Sequence, residues 1–227
     1  MTSRPHVLVS VAMSIDGYID DVADARLMLS NQEDFDRVDE VRASVDAILV
    51  GANTIRCDNP KLLIRSVQRQ EERVRRGLAP HPMKVTLTGR GELDATARFF
   101  SSGNIEKIVY TRNPAVPALC EALGDVATVV AAGEPIDLGV VLDDLGGRKV
   151  ERLMVEGGGT VHTQFLSAGL VDEIHLVIAP FFVGNRDAPR FVHPGRFPQN
   201  SERPMTLAET RQMGDVIVLR YLATATG

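Results

Sequence analysis

Tryptophan is absent from this sequence, and only eight phenylalanines and three tyrosines stand among its 227 residues. Any sizeable core must therefore be aliphatic. With 44% hydrophobic and 24% charged residues the balance is that of an ordinary globular protein. Only two cysteines occur, Cys57 and Cys120, far apart and without metal-ligand spacing. That excludes a disulfide scaffold and points to a reducing compartment. Cys57 has no base close in sequence, so it reads as a small packed residue and not as a nucleophile. There is no excess of positive charge; the formal net charge of -5 argues against a general nucleic-acid binder. No signal-peptide core and no apolar run of membrane-spanning length follows the opening Met-Thr-Ser-Arg-Pro-His, so the expectation is a cytoplasmic protein with no membrane partner. Internal repeats, low-complexity tracts and linkers are missing too, and one domain over residues 1–227 is expected.

What is present alternates. Residues 7–13, 47–50, 83–88, 107–111, 126–130, 152–156 and 172–180 are apolar or alternating runs that read as strands. Helical patterns lie between them. Ser30-Asn31-Gln32-Glu33 fits a capping box ahead of Phe35, Val38, Val41 and Val45 on one helical face. Arg42 falls in the last turn of that helix, where a cation complements the dipole. Residues 66–77, dense in Arg and Glu, read as a solvated helix. Residues 114–123 suit a helix with Pro near its start, and Asp137 can cap another running to Leu145, with Gly146-Gly147 behind it. Residues 185–204 are irregular. Strand candidates 205–213 and 216–222 close the chain around a Gly214-Asp215 turn. The alternation argues an α/β domain with a mostly parallel sheet flanked by helices, and the last two strands add an antiparallel hairpin at one side.

Residues with chemistry gather in four stretches. The most informative is Arg152-Leu153-Met154-Val155-Glu156-Gly157-Gly158-Gly159-Thr160-Val161. It reads as strand, glycine turn and helix N-terminus, with Val161, Phe165 and Leu166 at helical spacing and Gly169 placed to close the helix. Such a turn offers backbone N–H groups and the positive end of a helix dipole to an anion, most often a phosphate. It is neither G-x-G-x-x-G nor a Walker A loop, which needs a lysine after the glycines. By itself it fits a ligand-free connection as well. Glu156 ends the strand, where it can touch a substrate held beside that ligand. His162 is a candidate phosphate contact, and His175, in mid-strand, reads as structural.

The second stretch is Ala12 followed by Ser14-Ile15-Asp16-Gly17, a strand-end turn where a small residue leaves room for a flat ligand; a plain strand-end turn is the simpler reading of these residues alone. The third runs from Gly51 to Pro60 and on to Arg65, polar and small residues just past a strand's carboxyl end, where open α/β sheets bind ligands. Thr54 and Asp58 offer hydrogen-bonding groups there, and Arg65 a bidentate anion fork; a polar loop with a proline stop is the plainer reading. In the fourth, Gly89-Arg90-Gly91, Arg90 either holds the 2′-phosphate of NADP or is an exposed turn arginine.

Together these stretches resemble the riboflavin-biosynthesis pyrimidine reductases, found as the reductase half of the bacterial bifunctional deaminase-reductase and free-standing in archaea and fungi. An Ala-x-Ser-x-Asp-Gly-like stretch is matched by Ala12 to Gly17. A Gly-x-x-Thr-x-x-x-Asp-x-Pro-x-Leu-x-x-Arg-like stretch is matched by Gly51, Thr54, Asp58, Pro60, Leu62 and Arg65. A Val-Glu-Gly-Gly-like turn is matched by Val155 to Gly158. Val171-Asp172-Glu173 and Ala179-Pro180 to Gly184 also fit, so the likeness spans about residues 7–222. The resemblance implies a dihydrofolate-reductase-like fold, a homodimer and NADPH as cofactor. It implies reduction of a diaminopyrimidinone ribosylamine 5-phosphate, opened to an imine, to the ribitylamino product. Carried over by position, Ala12, Thr54 and Asp58 contact NADPH; Gly158, Gly159, Thr160 and Val161 hold its pyrophosphate; Thr88, Gly89 and Arg90 lie by its adenosine. Arg42, Leu62, Arg65 and Glu156 contact the substrate, the arginines suiting its 5-phosphate. Asp58 and Glu156 are the candidates for a proton donor or a water-orienting group, with Glu156 read as a substrate ligand and not an obligate acid.

Departures from the family pattern stand on the substrate side. Ser10 occupies a position where bacterial members often carry Lys, and residues 20–28 lack a Ser-rich pattern common before the capping box. No zinc deaminase signature is present, so the resemblance implies the reductase alone, with no metal. The competing readings are a reductase of the same fold acting on a pterin, dihydrofolate-like or other imine, and a non-catalytic nucleotide-binding protein. A pterin reductase has no need of a phosphate-binding arginine pair. A bare nucleotide binder has no need of Arg42, Arg65 and Glu156 together.

Overall fold

The computed structural model describes residues 4–23 and 25–223. In chain order the elements are β1 (His6–Ser14), α1 (Gln32–Ala43), β2 (Ala47–Gly51), α2 (Ala52–Asp58), α3 (Val67–Arg75), β3 (Met83–Thr88), α4 (Arg98–Ser101), β4 (Lys107–Thr111), α5 (Val116–Leu123), β5 (Thr128–Ala131), α6 (Leu138–Gly147), β6 (Arg152–Gly157), α7 (Gly159–Ser167), β7 (Glu173–Ala179), β8 (Thr206–Met213) and β9 (Val216–Leu222). The nine strands form one mixed sheet in the order β5-β4-β3-β2-β6-β1-β7-β9-β8. It is the α/β arrangement expected from the alternation, with the antiparallel hairpin at its C-terminal end.

The described residues divide into two compact units, one built on Asp39–Met154 with the chain start up to His6, the other on Val7–Val38 and the chain from Val155 onward. In the first, β2, β3, β4 and β5 pair in parallel. Ile48, Leu49, Val85, Ile108 and Val109 are completely or almost completely buried, as are Phe99, Leu119, Leu123, Val141, Leu142 and Leu145. Strands buried on both faces have to be continuous aliphatic runs, and that is how they read in the sequence. Lys84 breaks the run yet is fully buried. Its Nζ donates to the carbonyls of Phe99 (2.8 Å) and Ser102 (2.7 Å), closing the carboxyl end of α4. Burial, helped by the charge of Lys107, pushes this ammonium down to about 7.

In the second unit β1 pairs in parallel with β7, while β7, β9 and β8 run antiparallel. Val177, Met213, Val216 and Val218 make a small core. Edge strand β8 is exposed from Thr206 through Gln212. His175 is structural, as expected: its Nδ1 accepts from Arg37 (3.2 Å) and its Nε2 lies 2.8 Å from Glu173.

Four local expectations change. The capping box is shifted by one residue: Asn31, not Ser30, accepts the Asp34 N–H (3.0 Å), and Ser30 bonds the Asp34 carboxylate. Helix α1 ends at Ala43, so Val45 is buried beyond it and does not share its face. Helix α3 is not wholly solvated, because Arg73 is buried and its guanidinium holds the carbonyls of Ala43, Val45 and Ala79. Cys57 is exposed instead of packed, as is Cys120. Among the described residues no helix is long and apolar enough to cross a membrane.

Candidate functional site

Strands β2, β3 and β4 end level with one another: Gly51 stands opposite Leu87, and Thr88 opposite Thr111. Ligands of open α/β sheets collect outside this carboxyl edge. The connection after β2 is not the loop its small and polar residues suggest. It runs straight into α2, with Gly51 extended at the N-cap and no side chain capping the helix. Thr54 and Asp58, four residues apart, therefore share one face of that helix. Thr54 is half-buried and Asp58 exposed. Asn59, left-handed at φ 43°, ends the helix, and its Oδ1 accepts the Arg98 N–H (2.6 Å).

Leu62 also has positive φ, 49°, and is buried. A branched side chain seldom adopts that conformation, and it persists where the surroundings over-determine it. They do so here. Arg42 donates to the Leu63 carbonyl (3.4 Å). The Ile64 N–H donates to His81 Nδ1 (3.3 Å), and Gln70 donates to the Ile64 carbonyl (3.0 Å). Asp39 accepts from the N–H groups of Arg65 (2.5 Å) and Ser66 (3.1 Å). The structure thus sets Leu62 and Arg65 on one short, tied segment, which Arg42 reaches from α1, with Arg65 exposed.

The connection after β3 is a tight turn. Thr88, buried, accepts the Gly91 N–H on its Oγ1 (3.0 Å), so its hydroxyl shapes the turn that leaves Gly89 and Arg90 exposed. From the end of β4, Arg112 donates to the Gly89 carbonyl (2.6 Å) and pairs with Glu134 (3.2 Å). Arg112 carries no motif; its signal in the sequence is an arginine immediately after a strand end on the same edge.

The end of β6, from Val155 onward in the other unit, carries half-buried Glu156 into the glycine turn. Gly158 sits at φ 52°, ψ 148°, a conformation closed to L side chains. Gly159 is required for a different reason: a Cβ there would stand 2.2 Å from the Arg190 carbonyl oxygen. The α7 ladder begins with His162 N–H to the Gly158 carbonyl (3.1 Å), so the N–H groups of Gly159, Thr160 and Val161 precede it. Val161 is buried and can offer a ligand only its backbone, while Thr160 is exposed.

Residues 190–193, from the irregular stretch, are strapped across this turn. Thr163 Oγ1 donates to the Gly159 carbonyl (2.6 Å) and accepts the His193 N–H (2.8 Å). His193 Nε2 lies 3.4 Å from Thr160 Oγ1. The Arg190 guanidinium stacks on Tyr18 (4.3 Å) and bonds its hydroxyl (2.6 Å). No local sequence signal marks this strap. His162 is not a phosphate contact: it is fully buried against Phe191, and burial pushes its imidazole down to about 4. Ala12 is partly buried and packs against the Val177–Met213–Val216–Val218 core. Asp16 ties its turn by accepting from Ser14 Oγ (2.5 Å) and from the N–H groups of Val183 and Gly184. Among the described residues no group of three or more His, Cys, Asp and Glu is placed to hold a metal ion.

Known proteins match this architecture over nearly its full length. A relative from Archaeoglobus fulgidus, a 2,5-diamino-6-ribosylamino-4(3H)-pyrimidinone 5′-phosphate reductase, is 38% identical over 187 residues, 82% of this chain and 85% of its own. A reductase of the same name from Methanothermobacter thermautotrophicus is 32% identical over 220 residues, 96% of this chain and 98% of its own. The crystal structure of a pyrimidine reductase-like protein from Corynebacterium diphtheriae superposes with a TM-score of 0.83 at 25% identity, covering 98% of this chain and 93% of that one. The RibD C-terminal domain model matches residues 5–219, and the chain belongs to that family.

Proposed function

We propose that this chain is an NADPH-dependent reductase of riboflavin biosynthesis acting on 2,5-diamino-6-ribosylamino-4(3H)-pyrimidinone 5′-phosphate, the substrate named for its archaeal relatives. The observation that carries the cofactor part is the turn at Gly158 and Gly159, which excludes side chains and leaves three N–H groups ahead of the α7 ladder. That is a fit for a pyrophosphate: close backbone approach, aligned donors and the positive end of a helix. Bound there, NADPH would supply a hydride to the imine carbon of the opened ribosylamine.

The chain's own residues bind and orient. Gly158, Gly159, Thr160 and Val161 receive the pyrophosphate. Thr54 and Asp58, on one face of α2, and Ala12 receive the remainder of the cofactor. Thr88 shapes the turn that presents Gly89 and Arg90 to the adenosine, where Arg90 favours a 2′-phosphate. On the substrate side, Arg42 and Arg65 meet the 5-phosphate, Leu62 closes the loop beneath it, and Glu156 meets a polar ring or ribose edge. Asp58 and Glu156 are the groups available to orient a water or donate a proton. The whole chain is read as one reductase domain working as a homodimer, for which the exposed edge of β8 offers a surface.

The test follows cofactor absorbance on addition of the ribosylaminopyrimidine 5′-phosphate, beside dihydrofolate and a no-substrate control, with NADH run in parallel. Oxidation of NADPH with the phosphorylated pyrimidine alone is expected. Tight cofactor binding with no turnover of that compound would sink the substrate assignment, and equal rates with NADH would sink the role of Arg90. Sedimentation of the purified chain tests the dimer.

A further inference from the structure

The Arg65 segment owes its position to a residue that no motif singles out. Asp39 lies on α1 and is only 3% exposed. A carboxylate so deeply buried is unfavourable unless its oxygens are met by donors. Three meet it: the N–H of Arg65 on Oδ1 (2.5 Å), and on Oδ2 the N–H of Ser66 (3.1 Å) and the guanidinium of Arg69 (3.0 Å). The bland account is that Asp39 caps α3. Ser66 already does this, its Oγ accepting the Arg69 N–H (3.3 Å) as the N-cap residue. The shortest of the three bonds goes to Arg65, one residue outside the cap, where helix capping asks for nothing.

We infer that Asp39 is a positioning residue for Arg65, holding its main chain so that its guanidinium meets the substrate's 5-phosphate; this rests on the phosphate role proposed for Arg65. The carboxylate offers one oxygen to each of two adjacent N–H groups. The amide of Asn presents one acceptor oxygen and turns a donor toward the other N–H. Ile64 is fixed at both polar groups by His81 and Gln70, so the Arg65 main chain is clamped from both sides. A bidentate fork needs that fixity, since its two parallel N–H···O bonds form only when the guanidinium plane is correctly placed.

The experiment compares Asp39→Asn, Arg69→Gln and Arg65→Gln in the full chain. Asp39→Asn is expected to raise KM for the phosphorylated substrate roughly 10-fold, with kcat and cofactor affinity near wild type. KM for the same compound lacking its phosphate should not move. Added to Arg65→Gln, it should raise KM no further. Arg69→Gln removes the ion pair but keeps the Arg65 bond, so it should lower thermal stability and leave KM alone. If Asp39→Asn does not fold, Asp39→Glu displaces the carboxylate by one methylene and should show the same KM rise. Equal effects on both substrates, additive effects with Arg65→Gln, or a KM rise in Arg69→Gln equal to that of Asp39→Asn would overturn the inference. Calorimetry with ribose 5-phosphate separates it from the function. Wild-type binding that Arg65→Gln and Asp39→Asn both weaken, without turnover of the pyrimidine, would sink the substrate and keep Asp39. Binding equal in wild type and Asp39→Asn, or absent from wild type, would overturn Asp39.

Discussion

Residues 62–66 in one unit and residues 157–160 in the other are the two segments proposed to meet a phosphate, and they are held by different means. The first segment is grasped by side chains: Asp39, Arg42, Gln70 and His81 bind its main chain. The second is packed against main chain, with the Arg190 carbonyl seated where a Gly159 Cβ would be, and its own carbonyl at Gly159 is met by a neutral hydroxyl, that of Thr163. A histidine stands behind each. His81 touches its segment through a hydrogen bond, whereas His162 is sealed beneath its turn and only packs. One segment is therefore sensitive to charge state and the other to volume.

The largest effect should come from adding volume to the turn. In Gly159→Ala the new carbon would lie 2.2 Å from the Arg190 oxygen, so residues 190–193 must shift. Overpacking against main chain costs about 3 kcal/mol. NADPH affinity, read by quenching of cofactor fluorescence, should fall ~100-fold, in step with that strain. Affinity within about two-fold of wild type would mean the strap yields freely, and the contrast between the two segments would collapse.

The difference also explains how far the sequence could be read. The glycine turn was legible because its requirement is local: a strand, glycines and a helix start follow one another in the chain. Strands β2, β3, β4 and β6 were legible for the same reason, as short aliphatic runs. Helix α2 was not. Its seven residues open at an uncapped glycine, and they are too few and too polar to show a period. Yet that helix is what puts Thr54 and Asp58 on one face. Nothing local marks Asp39 on α1, since its partners lie 26 to 30 positions away. Residues 190–193 reach the turn from about 30 positions away. Contacts made across the chain by side chains leave no mark on local pattern.

The next effect is on stability in acid, and it belongs to the glycine turn. His162 titrates at about 4 in the folded protein because burial disfavours its cation, against 6.5 ordinarily. Between those values the unfolded chain binds more protons than the folded one. Stability is then complete above the ordinary histidine range and lost as pH falls toward 4, by on the order of 3 kcal/mol. Urea unfolding of wild type and His162→Phe across this window should give curves that diverge toward acid, with the variant less dependent on pH. Parallel curves would show that His162 is not the group responsible. The turn itself should keep its cofactor affinity until the whole protein melts.

The smallest effect distinguishes the two segments most sharply. His81 accepts the Ile64 N–H on Nδ1, which it can do only while that nitrogen is unprotonated. Its pKa is lowered by burial first, then by the charges of Lys84 and Arg73, against the opposing pull of Asp39. Lys84, itself at about 7, carries its charge through the acid range and so keeps resisting protonation of His81. As pH falls below the ordinary histidine range His81 gains its proton, the bond to Ile64 is lost, and one side of the clamp on Arg65 opens. KM for the phosphorylated substrate should then rise roughly 3-fold, the worth of one modest hydrogen bond, while cofactor affinity holds. In His81→Gln the side-chain oxygen still accepts from Ile64 and does not titrate, so its KM profile should be flat over the same range. An acid rise in KM that survives in His81→Gln would place the titrating group elsewhere. A parallel loss of cofactor affinity in wild type would mean that the two segments are not held independently.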